Sequence, residues 1–315
     1  MVKSKPVHKV TKVVVLAASP MAVPTIAMLL QEHRLAGVLL PERLDAFSGQ
    51  LQAQLQQSEI PYCKMGDQSE AIVVAQLLDW HADLAISFGF APSLKNSLSQ
   101  ATTYGLYYML GAAPDDYYGP MPSYWQIRDG RRCTHLTLVK AIASEQGDIA
   151  LSLPIAIEEF DTLQSLENKL AHYAPKLVQS FMNKLVEHNG QIPLVKSQQQ
   201  GLQAPLVKEK DLHVDWATMT ASQIAALARA GNPTLAGCVV TLGNTSLNLL
   251  QATEVKHPTY GVSPGTLCHV GEPEGVIVAT LDGAIRLDIL SNVDGVFGAM
   301  SFTERFGISA GMVFV

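Results

Sequence analysis

The chain has no long apolar run, no paired cysteines, no surplus of positive charge and no glycine-rich phosphate loop, and each absence removes a class of protein. No stretch reaches the roughly 20 apolar residues that cross a bilayer. Even VVVLAASPMAVPTIAMLL is broken by Pro20 and Pro24. The basic start, MVKSKPVHKVTK, leads into a strand pattern instead of a signal-peptide core, so no membrane partner and a cytoplasmic location are expected. The four cysteines, Cys63, Cys133, Cys238 and Cys268, contain no Cys-x-x-Cys pair. Their spacing fits neither a zinc ribbon nor a disulfide framework. A formal charge of -6 gives no general attraction to nucleic acid. The turn Ser19-Pro20-Met21 lacks the Gly-x-Gly-x-x-Gly cradle that would mark a dinucleotide site.

What is present describes a compact protein of two domains: 315 residues, 48% hydrophobic and 16% charged, enough chain for two cores. Residues 12–16, 35–40, 83–90 and 105–110 read as buried strands, and 23–31, 51–58 and 70–80 carry helical periodicity. Alternation of this kind predicts an α/β, Rossmann-like domain with a mostly parallel sheet covered on both faces. Two extended stretches at 135–143 and 149–157 and a long helical period over 162–188 complete it. Residues 191–210, rich in Gln, Pro and Lys, read as a linker. Beyond it, WATMTASQIAALARA reads as one helix, and short strands punctuated by Gly and Pro predict a small, OB-like β-barrel. The expected division is 1–190, 191–210 and 211–315.

Three segments, in order, carry a resemblance. ASPMAVPTI (18–26), DLAISFGFAPSL (83–94) and DLHVDWATMTASQIAALARAGNPTLAG (211–237) resemble, in turn, the first loop and helix, the cofactor-lining strand and the post-linker signature of the folate-dependent formyltransferase family. The family transfers a formyl group from 10-formyltetrahydrofolate to an amine, and the likeness runs through both domains. It implies a reduced folate as the cofactor and assigns Phe88, Gly89, Phe90 and Asp148 to its pocket. It also places Ser19, Asp115, Asp116 and Tyr118 on the acceptor side.

The family's reactive positions are altered. Its Gly-x-x-Asn-x-His-x-Ser-x-x-Pro-x-x-Arg-Gly pattern lies without a gap on residues 105–119, YGLYYMLGAAPDDYYG read from its second residue. Tyr108 then stands at the Asn position, Leu110 at the His position, Ala112 at the Ser position and Tyr118 at the Arg position, while Gly119 and Pro122 match. The family's catalytic Asp falls at Glu145, with Gly147 and Asp148 retained. A leucine neither donates to a developing oxyanion nor exchanges a proton near neutral pH. If the protein is active, Tyr108 and Glu145 are the expected catalytic residues.

Six of the nine tyrosines lie between residues 104 and 124. They form either an aromatic ligand cage or a filling of the vacated site. Asp115 and Asp116 read as a solvated pair, and no metal site is expected. His135 stands where the family usually has glycine, and it reads as a bulky residue that narrows the pocket or faces solvent. From Pro205 onward six Lys and Arg face ten Asp and Glu, which opposes phosphate contacts and makes tRNA an unexpected partner. The expectation is a catalytically degenerate relative, a pseudoenzyme that binds or regulates through an unknown small-molecule or protein partner. The alternative is a one-carbon transferase acting on a small-molecule amine with changed active-site residues.

Overall fold

The protein is described from a computed structural model that covers residues 10–66, 70–90, 96–141, 147–198 and 200–315. It forms two compact units, the first from residues up to 118 with 134–155 and 167–203, the second from 119–133, 156–166 and 204–315. In chain order the elements begin β1 (Val13–Ala17), α1 (Val23–Gln31), β2 (Leu35–Pro41), α2 (Ala46–Gln57), β3 (Tyr62–Met65), α3 (Glu70–Asp79), β4 (Leu84–Phe88) and α4 (Asn96–Gln100). They continue with β5 (Leu106–Leu110), β6 (Tyr117–Tyr118), α5 (Pro122–Arg128), β7 (Cys133–Lys140), β8 (Ile149–Ala156), α6 (Leu163–Glu187), β9 (Leu202–Gln203) and α7 (Ala221–Gly231). The last are β10 (Cys238–Leu242), β11 (Thr245–Val255), β12 (Leu267–Gly271), β13 (Gly275–Ala279), β14 (Ala284–Asn292), β15 (Gly295–Gly298) and α8 (Ala299–Phe306).

The first unit is built on a seven-stranded sheet in the order β3-β2-β1-β4-β5-β7-β8. The pairings from β3 to β5 are parallel, and β7 turns antiparallel to β5. Every residue of β1 and β4 is buried, so their sequences, VVVLA and LAISF, are nearly continuous apolar runs, as strands covered on both faces require. On one face Leu16, Leu39, Ala85, Leu106 and Tyr108 pack with Val73 and Leu77 of α3 and Leu98 of α4. On the other, Tyr107 meets Phe181 of α6 edge-on, with ring centroids 4.5 Å apart.

The second unit holds an antiparallel sheet in the order β10-β11-β14-β13-β12, with β15 on β14. The expected OB-like barrel is seen only as this sheet: among the described residues no pairing of β10 with β12 closes it. Isolated bridges from Phe314 to Leu242 and from Val313 to Thr266 tie the chain's last residues to its rim.

The helix expected across WATMTASQIAALARA begins five residues later, at Ala221. The Asp215 carboxylate accepts from the Ala217 amide at 3.0 Å and the Thr218 hydroxyl at 2.7 Å, holding a turn there. Thr220 and Gln223 then form a reciprocal capping box that sets the start. Side-chain bonding to local backbone overrode a favourable helical composition.

Burial pushes the Tyr107 phenol up to about 12. An unfolded tyrosine ionises near pH 10, so this burial stabilises the fold fully below about pH 10 and ceases to as pH rises through about 12. Tyr107→Phe is expected to flatten the loss of stability over that alkaline range, read by urea unfolding at stepped pH. An unchanged alkaline profile would show that Tyr107 does not govern it.

Candidate functional site at the carboxyl edge of the sheet

In an open α/β sheet the ligand crevice lies beyond the carboxyl ends of the strands, where the strand order reverses. Here the chain runs outward from β1 to β2 and β3 and returns at β4, so the reversal falls between β1 and β4. Two sequence-predicted residues stand at that point. The Ser19 hydroxyl accepts the Met21 amide at 3.3 Å and caps the short turn Pro20–Ala22. Gly89 has φ +81°, and a Cβ there would come within 2.9 Å of the Ser19 Cβ. The glycine therefore serves both conformation and close approach. Beside it Phe88 is 1% exposed and belongs to the core, whereas Phe90 is only partly buried and packs against the α3 side of the sheet.

β5 brings its residues to this edge with the two-residue period of a strand. Leu106, Tyr108 and Leu110 share one face, and Tyr108 is 6% exposed among Leu16, Ala85 and Leu98, with Leu110 packed against the same cluster. Ser87 pairs with Tyr108 across β4 and β5, which puts its hydroxyl on that face. The Ser87 oxygen is buried and has no hydrogen-bond partner among the described residues. The positions that would hold a polar pair in the resembled family are occupied by a phenol and an isobutyl group inside a mostly apolar layer.

A polar pair appears instead on the neighbouring strand. Leu110 is opposite Thr137, so His135, two residues earlier on antiparallel β7, projects from the same face just beyond Leu110. Its Nδ1 lies 3.4 Å from an Asp116 carboxylate oxygen, both side chains partly exposed. Among the described residues Nδ1 makes no hydrogen bond, so the pair is in contact without a formed bond. The Thr134 hydroxyl donates to the Gly111 carbonyl at 2.9 Å and pins the start of β7 to the end of β5. Asp116 is placed by a turn in which its amide donates to the Ala113 carbonyl at 2.9 Å.

The other predicted residues separate from this pair. Asp115 accepts the Ser197 hydroxyl at 2.7 Å. Tyr118 belongs to the small sheet formed by β6 and β9, opposite Gln203. Asp148 stands at the other end of β7, where its carbonyl accepts the Lys140 amide. Glu145 lies outside the described residues. His135, read from sequence as a narrowing or solvent-facing residue, was the member that sequence reasoning set aside. Only the β5–β7 register shows that it shares a face with Leu110.

Residues 206–295 match the model of the formyl transferase C-terminal domain. The chain is similar to methionyl-tRNA formyltransferase of Fervidobacterium nodosum, 28% identical over 175 residues that cover 54% of each chain. It thus spans about half the length of that relative. The enzyme of the same name from Geobacillus thermodenitrificans is 25% identical over 278 residues, 86% of each chain. Among solved structures, the N-formyltransferase of Helicobacter canadensis in complex with folinic acid and dTDP-3-aminofucose superposes with a TM-score of 0.63 at 16% identity, covering 87% of this chain and 97% of that one. The protein has the fold of the formyltransferase superfamily.

A buried hydroxyl without a partner costs about 1–3 kcal/mol. Ser87→Ala is expected to raise stability by about 1 kcal/mol in denaturant unfolding. A loss of stability would mean that the hydroxyl has a partner in solution.

Proposed function

We propose that the protein is a one-carbon transferase that moves a formyl group from a reduced folate to the amine of a small molecule, with His135 and Asp116 handling the proton. The observation that carries this reading is the 3.4 Å His135–Asp116 pair, which projects from the same sheet face as Tyr108 and Leu110 at the edge where ligands of this fold class are held.

The residues at the edge fit a flat heteroaromatic donor. Gly89 places no side chain at this edge, and the partly exposed Phe90 ring offers a stacking surface. A bound formyl-bearing folate would supply the activated carbonyl carbon. Transfer forms a carbon–nitrogen bond to the acceptor amine, breaks the one to the folate nitrogen and moves one proton between the two nitrogens. His135 takes that proton from the acceptor and returns it to the departing nitrogen. Asp116 stabilises the imidazolium that exists between these steps. With Leu110 in place of a donor, stabilisation of charge on the formyl oxygen is reduced, and transfer is expected to be slow, by about 100–1,000-fold for one missing donor.

A small acceptor is favoured over tRNA because the chain from Pro205 carries six basic against ten acidic residues. The Helicobacter canadensis enzyme, crystallised with folinic acid and an aminosugar nucleotide, supports that substrate class. A second reading, a binding or regulatory protein without transferase activity, draws on one observation: Tyr108 is almost fully buried where the family places an asparagine.

The test is incubation with 10-formyltetrahydrofolate and a panel of small amines that includes amino sugars, with products read by mass spectrometry. Formylated product that falls about 100- to 10,000-fold in His135→Gln, with folate affinity unchanged, is the expected result. Absence of product from every amine, while folate still binds, would refute catalysis and leave the binding protein.

A further inference from the structure

The two members of the His135–Asp116 pair are held in different ways. His135 lies in β7, inside the large sheet, where the antiparallel register with β5 fixes it. Asp116 lies beyond the end of β5, on a turn closed by the Ala113 carbonyl, which accepts the Asp116 amide at 2.9 Å and the Tyr117 amide at 3.1 Å. A turn outside the sheet is more mobile than a strand, so its carboxylate needs a second support to keep a fixed distance from His135.

That support comes from the stretch between α6 and the end of β9, which its Gln, Pro and Lys content marks as a linker. Val195 exchanges two backbone bonds with Ile149 at the start of β8, at 2.8 and 2.9 Å. Further on, the Ser197 hydroxyl donates to the Asp115 carboxylate at 2.7 Å. The Leu202 amide donates to the Asp116 carbonyl at 2.9 Å, and Tyr117–Leu202 and Tyr118–Gln203 pair in parallel as β6 and β9. The stretch is thus fastened at one end to the large sheet and at the other to the residue that faces His135. Asp115, Asp116 and Tyr117, consecutive in the turn, each engage it.

Gly201 sets how closely this strap lies. A Cβ there would overlap the Pro114 carbonyl oxygen and come within 3.2 Å of both the Asp116 carbonyl carbon and the Tyr117 amide nitrogen. These neighbours are backbone atoms, which cannot rotate aside as the end of a side chain can, so a side chain at position 201 must move the strap or the turn. The strap adds little to the core, since Val195 is 64% exposed and Leu202 52%. Backbone bonds hold it, and burial of apolar surface does not. A segment that bonds successive residues of one turn while burying little of its own is explained by the placement of that turn.

We propose that residues 195–198 and 200–203 form a strap that positions Asp116 against His135, with Gly201 permitting the close approach. Gly201 and Ser197 are positioning residues that act through the turn carrying Asp116. The consequence for catalysis rests on the transfer reaction proposed above; the placement itself does not.

Gly201→Val in the full chain tests it, read first without substrate through the ring resonances of His135 in a proton–nitrogen correlation spectrum at fixed pH, with Asp116→Asn as the reference. The expected result is that the His135 resonances of Gly201→Val move to those of Asp116→Asn, while the thermal transition shows the variant folded. Ser197→Ala, at a half-buried position, removes the bond to Asp115 and is expected to move them part of the way. It carries the test by itself should the valine variant fail to fold. In the transfer assay, kcat of Gly201→Val is expected to fall about 100-fold with folate affinity unchanged, the cost of a displacement of about 1 Å. His135 resonances unmoved in both variants would overturn the proposal, as would an unchanged kcat in folded Gly201→Val. If the unmutated protein transfers no formyl group, the resonances still decide the placement, and the transfer reading alone fails.

Discussion

The two-residue alternation of β5, held between parallel β4 and antiparallel β7, is the constraint on which the first unit depends. It sends Tyr107 to the α6 face, where its ring meets Phe181, and it sends Tyr108 and Leu110 to the face covered by α3 and α4. A shift of one residue would exchange the faces and expose one set while crowding the other. The same alternation accommodates a phenol and an isobutyl group on one face. Tyr108 and Leu110 point where a polar pair would point, and there they extend the apolar layer formed by Leu16, Ala85 and Leu98.

The topology brings polar side chains to the edge where β5 ends. The reversal of strand order between β1 and β4 opens the edge at Ser19 and Gly89, and antiparallel β7 starts at that same edge because it runs opposite to β5. A residue near the start of β7 therefore reaches the neighbourhood of a residue at the end of β5. His135 does so, and the turn through residues 113–116 brings the Asp116 carboxylate to it. The proton-handling function proposed for the pair rests on this placement.

Much of the fold was legible in the sequence for a physical reason: β1 and β4 are buried on both faces, and such strands read as unbroken apolar runs. The His135–Asp116 pair was not, since its members are 19 positions apart in the chain and only the strand register brings them together. Helix α7 starts late for a similar reason, its boundary being decided by hydrogen bonds of Asp215, Thr220 and Gln223 that composition does not reveal.

Central to this account is the proposal that the edge beyond β1 and β4 binds a reduced folate above the apolar layer that holds Tyr108 and Leu110. Calorimetric titration of the unmutated protein with 5-formyltetrahydrofolate, a stable stand-in for the formyl donor, tests this most directly. Saturable binding at one site per chain, lost when Gly89 is replaced by a bulky residue in a variant that still folds, is the predicted result. No heat at about 1 mM ligand, with binding gained in a Tyr108→Asn, Leu110→His double variant, would contradict it and show that the tyrosine has sealed the site.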